Sequence, residues 1–347
     1  MTAKEIARML GVSPATVSMV INNKPGVSEE RRAQIMELLD RYNYQRDKPV
    51  LAEEERNLGF VVYKNTGDIL GQAPFFELLM EGVSRAVSEQ GYNLMFMQIV
   101  KDGPIREQIE TIRANRCAGL IIYATEAEEN DMAFFRSLKT PFVILLNDFS
   151  DEGASSVCIN NRQGIVLALR CLYKLGHRKI GYIRSRSMIN SFAARYFAYT
   201  ERMAQLGLLV NPEHVVSLSY SQQQATGEMK DWLQNRNRNS LPTAFLADND
   251  LLACGAMSGL TESGLCVPQD ISVIGFDDRP MCALCDPPLT TVVVPRDVFG
   301  PTAVQLLMRQ IKEGHEISVK MEIGVSLMVR GSTGPAKAAR LSPHNVN

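Results

Sequence analysis

Residues 2–22 read TAKEIARMLGVSPATVSMVINN, two short helical patterns separated by a glycine. From Lys4 to Leu10, the apolar Ile6, Ala7 and Leu10 fall on one face of a helix. Gly11 ends that helix, because glycine takes the left-handed closing conformation without a Cβ clash. Ser13 is a favourable N-cap, and Pro14 stands at the first helical position, where a missing N–H costs nothing. A second helix continues through Val17, Val20 and Ile21. Two short helices joined by a tight glycine turn form a helix-turn-helix. Ala7 is small where the helices touch, Gly11 makes the turn, and Val17 fills the crossing. The outward set is Ser13, Pro14, Ala15, Thr16, Ser18, Met19 and Asn22, the face such a unit lays in a DNA major groove. An ordinary helical hairpin is the competing reading. Val27 and Ser28 then cap a third helix, Glu29 to Tyr42, with Ile35, Leu38 and Leu39 inward, so residues 1–45 make a three-helix unit large enough to fold alone.

The chain has 347 residues, which implies two or three domains. Its 45% hydrophobic and 22% charged content is that of a globular protein. No run is apolar and long enough to span a membrane, and the N-terminus lacks the charged-then-apolar pattern of a signal peptide. A cytoplasmic location is therefore expected. The seven cysteines are scattered and odd in number, so no disulfide framework is expected. Cys282 and Cys285 form a CxxC, but His177, His214, His315 and His344 supply no companion cluster; two small apolar residues are the simpler reading. Net charge is −1, which excludes a general polyanion binder. Residues 1–46 carry seven basic against five acidic side chains, a modest excess that favours dimerisation for tight DNA binding.

Residues 46–57 read as a linker, interrupted by Pro49 and made acidic by Glu53, Glu54 and Glu55. From Leu58 on, short apolar runs alternate with amphipathic stretches. The runs are 58–63, 94–100, 119–123, 141–146, 180–183, 243–247 and 271–276, and between them lie helical patterns such as 75–90, 162–175, 192–206, 250–263 and 297–313. Near-continuous apolar strands alternating with helices indicate parallel sheets covered on both faces. Their number fits two successive α/β lobes, with 289–294 a late strand crossing back. Facing open sheets leave a crevice at their strand ends, where ligands bind. No phosphate-cradling glycine loop, nucleophile elbow or zinc-ligand spacing occurs, so nothing supports an enzyme and no cofactor or metal is expected.

Over residues 2–331 the chain resembles the lactose-repressor (LacI/GalR) family of transcription regulators. EIARMLGVSPATVSMVINNKPGVSEERR resembles its DNA-binding headpiece; PFFELLMEGV, GYNLMF and CAGLII resemble its first lobe; LGHRKIGYI, PTAFLADND, VPQDISVIGFDD, PPLTTV and MVRGS resemble the second lobe and closing segments. The resemblance implies an α/β chain: a three-helix headpiece followed by a two-lobed core like that of periplasmic sugar-binding proteins. It implies a homodimer on a palindromic operator and a small sugar-like effector between the lobes. The core is expected at 58–331, the first lobe from about 58–156 plus 292–320 and the second from about 157–291 plus 321–331.

Arg195, Asn249 and Asp277 fall on family cleft positions. Their chemistry suits a polyol, because the guanidinium donates, the carboxylate accepts and the amide does both. Each also has a local reading: a solvated helix arginine, a helix cap, a strand end. Further effector candidates are Asn147, Ser191, Phe75 and Gln222, with Phe75 either stacking on a sugar or sitting in the core.

The departures from the family are specific. Met19 stands where the family usually has an arginine, and a thioether cannot make the two hydrogen bonds that read guanine. At the hinge, Asp47, Pro49 and the glutamates replace the usual segment, and Leu51 is the residue left to wedge into the minor groove. Arg296 reads either as a helix-start or surface arginine or as a grip for an acidic group such as a sugar phosphate or uronate. Residues 332–347, STGPAKAARLSPHNVN, read as a disordered tail without a leucine heptad, so a dimer rather than a tetramer is expected. The expected function is a repressor of carbohydrate-use genes. The alternatives are a regulator responding to a nucleobase, sugar phosphate or protein corepressor, and, less favoured, a sugar-binding transport protein.

Overall fold

A computed structural model describes residues 3–21, 26–41, 56–67, 74–234, 236–314 and 317–337. The chain divides near residue 54 into two units. In the first, helices α1 (Ala3–Leu10), α2 (Pro14–Ile21) and α3 (Glu29–Arg41) enclose a small core. Ile6, Ala7, Val17, Val20, Ile35 and Leu39 are buried there. Gly11 has a φ of 63°, the left-handed value that the turn requires. Asn22, Leu51 and the acidic run 53–55, to which the sequence assigned DNA and hinge roles, lie outside the described residues.

The second unit holds two sheets. The first lobe runs through β1 (Asn57–Lys64), α4 (Pro74–Glu89), β2 (Asn93–Val100), α5 (Ile105–Ala114), β3 (Gly119–Tyr123), α6 (Met132–Ser137), β4 (Phe142–Leu145) and β5 (Ser156–Ile159). The second runs through α7 (Asn161–Lys174), β6 (Ile180–Ser185), α8 (Asn190–Gln205), β7 (Val215–Leu218), α9 (Gln222–Gln234), β8 (Ala244–Ala247), α10 (Asp250–Glu262), β9 (Ser272–Asp277) and β10 (Thr290–Val293). Then α11 (Arg296–Glu313) and β11 (Lys320–Ile323) return to the first lobe, and β12 (Ser326–Met328) to the second. Strand order is β11-β5-β4-β3-β1-β2 in the first sheet and β12-β10-β9-β8-β6-β7 in the second. Every pairing is parallel except β10 with β12. Except for 94–100, which forms the partly exposed edge strand β2, the apolar runs read from the sequence are the central strands. Their residues are buried almost without break, as strands covered by helices on both faces must be.

The crossings between sheets fall slightly later than the sequence placed them. Strand β5 belongs to the first sheet, so the chain leaves it after Ile159 rather than at 156. Strand β10 lies wholly in the second sheet, and β11 wholly in the first. The crossings are tied together at the hinge: the Asn160 N–H donates to Ile323 O at 3.0 Å, and the Val325 N–H donates to Gln163 Oε1 at 2.8 Å.

Residues 332–337 correct the first part of the expected tail; residues 338–347 lie outside the described residues. Ser332 is fully buried; its Oγ accepts from Thr290 N at 2.8 Å and donates to Val273 O at 2.6 Å. Gly334 O meets His177 Nε2 at 3.0 Å, and the Ala336 N–H donates to Leu175 O at 2.9 Å. Polar composition suggested disorder, but these groups close backbone hydrogen bonds that the second lobe leaves open. Burial holds His177 below the ordinary histidine range, so it is a neutral anchor.

Candidate functional site

Helix α2 begins as its sequence dictates. Ser13 Oγ accepts the Thr16 N–H at 3.1 Å, satisfying one of the orphan donors of the first turn. Val17 and Val20 face the core. Ser13, Pro14, Ala15 and Ser18 are exposed, with Thr16 and Met19 half-buried. The exposed face therefore carries hydroxyls and small apolar groups, and no cation.

The second candidate site is a cavity between the two sheets of the second unit. Tyr123, Thr125, Leu146 and Ile159 line it from the first lobe. Ser191, Phe192, Arg195, Tyr220, Asn249, Asp277 and Arg279 line it from the second. These residues sit at the carboxyl ends of parallel strands or in the first turns of the helices that follow, which is where open α/β sheets bind ligands.

Arg195 is 2% exposed. Its Nε donates to Asn161 Oδ1 at 2.8 Å, one terminal nitrogen to Asp248 O, and the other to Asp277 Oδ1 at 3.4 Å. Its guanidinium also lies 3.6 Å from the Phe276 ring centroid, a cation–π stack. Burial raises the Asp277 carboxyl above the ordinary carboxylate range, opposed by the nearby Arg195, Arg279 and Arg296. Asp277 has φ 112° and Asp278 φ 52°, values L-residues rarely adopt, and such strain concentrates at ligand sites. Gly275, two residues earlier, has no room for a Cβ against the Asp250 carboxyl. Asn249 both caps and lines: its Oδ1 accepts from Leu252 N at 3.2 Å, and its Nδ2 donates to Tyr220 Oη at 2.9 Å.

The other predicted residues scatter. Ser191 lines the cavity. Asn147 is buried beside it and bridges the lobes instead, with Oδ1 accepting from Asn190 Nδ2 at 2.9 Å. Gln222 is exposed and borders an outer groove, because its backbone packs on Gly255 at the α9–α10 contact. Phe75 falls in α4, and its side chain is outside the described residues. Arg296 is buried and donates to the carbonyls of Asp277 and Asp278 at 2.6 and 2.8 Å, so it is neither a surface arginine nor a cavity wall. Sequence reasoning missed Tyr123, Phe192, Tyr220 and Arg279. The aromatics read as core, and Arg279 follows the GFDD strand end without any periodic signal.

Two family descriptions match the chain: "Bacterial regulatory proteins, lacI family" over residues 2–47 and "Periplasmic binding protein-like domain" over residues 169–333. The chain belongs to the lacI family. It is a DNA-binding transcriptional regulator, as the members of that family are. This lacI-family chain is 29% identical over 318 residues to the HTH-type transcriptional repressor PurR of Glaesserella parasuis serovar 5 (strain SH0165), covering 91% of each. It is 28% identical to the ribose operon repressor of Haemophilus influenzae, covering 91% of this chain and 93% of that one. Among solved structures, the transcriptional regulator CelR in complex with cellobiose superposes with a TM-score of 0.71 at 24% identity, covering 96% and 99% of the two chains. The lac repressor dimer bound to operator superposes at 0.70 and 23%, also covering 96% and 99%. No helix among the described residues of this lacI-family regulator is long and apolar enough to cross a membrane.

Proposed function

We propose that this regulator is a cytoplasmic, homodimeric repressor of carbohydrate-use genes, without enzymatic activity, whose effector is a small polyol held in the inter-lobe cavity. The observation that carries this reading is the buried Arg195–Asp277 pair at the cavity wall, with Asn249 and Ser191 beside it and Tyr123, Phe192 and Tyr220 around it. Guanidinium, carboxylate, amide and hydroxyl can grip several ligand hydroxyls at once, while aromatic faces cover a ring. A site of this kind rejects analogues that leave its buried polar groups unpaired. The likeness to a ribose operon repressor and to a cellobiose complex supports a sugar. In this reading α2 enters the major groove with Ser13, Pro14, Ala15, Thr16, Ser18, Met19 and Asn22, and Leu51 serves the hinge. A dimer supplies two half-sites on a palindrome. Exposed Leu78, Phe96 and Val298 give the first lobe an apolar surface for pairing.

Arg279 favours a second reading of the same cavity. It is only 7% exposed, and with Arg195 it sets two guanidiniums against the single carboxylate of Asp277 in the wall. That excess suits a phosphorylated or carboxylated sugar.

The test has two arms. Dialysed protein is titrated with ribose, cellobiose, a purine base and a sugar phosphate, following the melting temperature and Trp232 emission. Binding at a hundredfold excess over Kd stabilises by about 2.7 kcal/mol, an easily read shift. Genomic fragments retained by the protein are then footprinted with and without the hit. A neutral sugar supports the first reading and a sugar phosphate the second. A purine hit, or no hit sensitive to Arg195→Ala, overturns the polyol assignment.

A further inference from the structure

The CxxC of residues 282–285 is not a pair in the fold. The Cys282 thiol faces the Asp250 carboxyl, while Cys285, beyond the single helical turn Pro280–Ala283, meets Cys254 of α10 with its sulfur 2.7 Å away. The two residues are 31 positions apart in sequence, so this juxtaposition is made by the packing of α10 against the loop that follows β9. Both border a groove open to solvent, walled by Met257, Met281 and the exposed Leu284. Small molecules in solution therefore reach the pair, although Cys254 itself is buried at the groove floor.

We propose that Cys254 and Cys285 are a reversible oxidation site whose oxidant is a small hydroperoxide. The two sulfurs share a hydrogen bond in which either can be the donor, and Cys285 is half-buried where Cys254 is buried. Cys285 is thus the thiol the oxidant reaches first, the nucleophile, and Cys254 the resolving thiol. The Cys285 thiolate attacks one oxygen of hydrogen peroxide, breaking the O–O bond; a sulfenic acid forms and hydroxide leaves. The Cys254 sulfur then attacks the sulfenic sulfur, forming the S–S bond and expelling hydroxide, which takes the thiol proton and leaves as water. Overall, two thiols lose two electrons and two protons, and one peroxide becomes two waters. In a reducing compartment such a bond is transient, the behaviour of a sensor rather than a structural staple.

The site has a direct route to the cavity. Cys254 is four residues from Asp250, where α10 starts on its Asn249 cap, and the loop bearing Cys285 begins at Asp277 and Arg279. The cross-link would fasten to each other the two segments that deliver these cavity residues.

The test uses the full chain, reduced and then treated with stoichiometric hydrogen peroxide. Two of its seven thiols should be lost, a digest should contain the peptide linked through Cys254 and Cys285, and dithiothreitol should restore both thiols. Cys254→Ser should stop at a sulfenic acid on Cys285, trapped by dimedone, and Cys282→Ser should leave the cross-link unchanged. Full retention of thiols in wild type, a 282–285 linkage, or first oxidation at the exposed Cys266 would each overturn the proposal, independently of how the variants fold.

Discussion

Asn147 Oδ1 accepts a hydrogen bond from Asn190 Nδ2 at 2.9 Å, joining the end of β4 in one lobe to the start of α8 in the other. The same Asn147 amide donates to Ala124 O at 2.7 Å and Ala127 O at 2.9 Å, and its oxygen also accepts from Asp148 N at 2.8 Å. One side chain thus anchors a first-lobe turn and reaches across the cleft. The two partners should respond unequally to truncation. Asn147→Ala strips partners from buried backbone groups and should cost about 2–4 kcal/mol. Asn190→Ala removes only the cross-lobe bond and should cost about 0.5–1.5 kcal/mol. Urea unfolding of both variants decides, and equal costs would contradict this division of roles.

Arg195→Lys should destabilise the protein although the charge is kept. An ammonium cannot serve Asn161, Asp248 O and Asp277 in three directions, nor stack on Phe276 as a plane. A loss of about 2–4 kcal/mol is expected for this buried hub, together with loss of the effector-dependent melting shift. Differential scanning fluorimetry reads both quantities, and a variant that melts like wild type would refute the hub.

Asp248 gives a pH signature. Burial raises its carboxyl from 3.8 to about 6, against hydrogen bonds from Ser185 N and Tyr182 Oη. Because the folded value lies above the unfolded one, the native state keeps a proton that the unfolded chain releases between pH 4 and 6. Stability therefore falls as pH rises through that window. Asp248→Asn does not titrate. Its stability relative to wild type should improve by about 2 kcal/mol between pH 4.5 and 7. Parallel denaturation curves at the two pH values test the sign directly.

Met19 should determine one base pair of each half-site. It is half-buried on α2, with its methyl close to Gly26. Met19→Arg supplies a guanidinium fork, and selection from random duplexes should enrich a guanine at one symmetric position, worth about 1–3 kcal/mol of discrimination. An unchanged selection profile would rule this out.

Ser332→Ala should cost about 1–3 kcal/mol, because the buried Thr290 N–H loses its acceptor. A neutral result in urea unfolding would mean that the closing segment adds nothing to the second lobe.

What the sequence by itself determined was everything written in local periodicity. The helix–glycine–helix pattern of 2–22, the Ser13 cap and the alternation of apolar runs with amphipathic helices are short-range properties, and they define the three-helix unit and the parallel sheets. Family likeness singled out Arg195, Asn249 and Asp277 before any geometry was known, and all three line the cavity. Tertiary structure decided what depends on residues far apart in the chain. Strands β5, β11 and β12 are three or four residues long and carry too little pattern to be seen alone, yet they set where the lobes divide. Tyr220 and Arg279 reach the cavity only because β7 and β9, with β6 and β8 between them in the sheet, end on one side of it. Gln222 turns outward because a helix contact occupies its inner side. Residues 332–337 are ordered because the second lobe offers unpaired backbone groups that composition does not reveal. Cys254 and Cys285 meet for the same reason: the packing of α10 on a loop decides their distance, and no spacing rule in the sequence contains it.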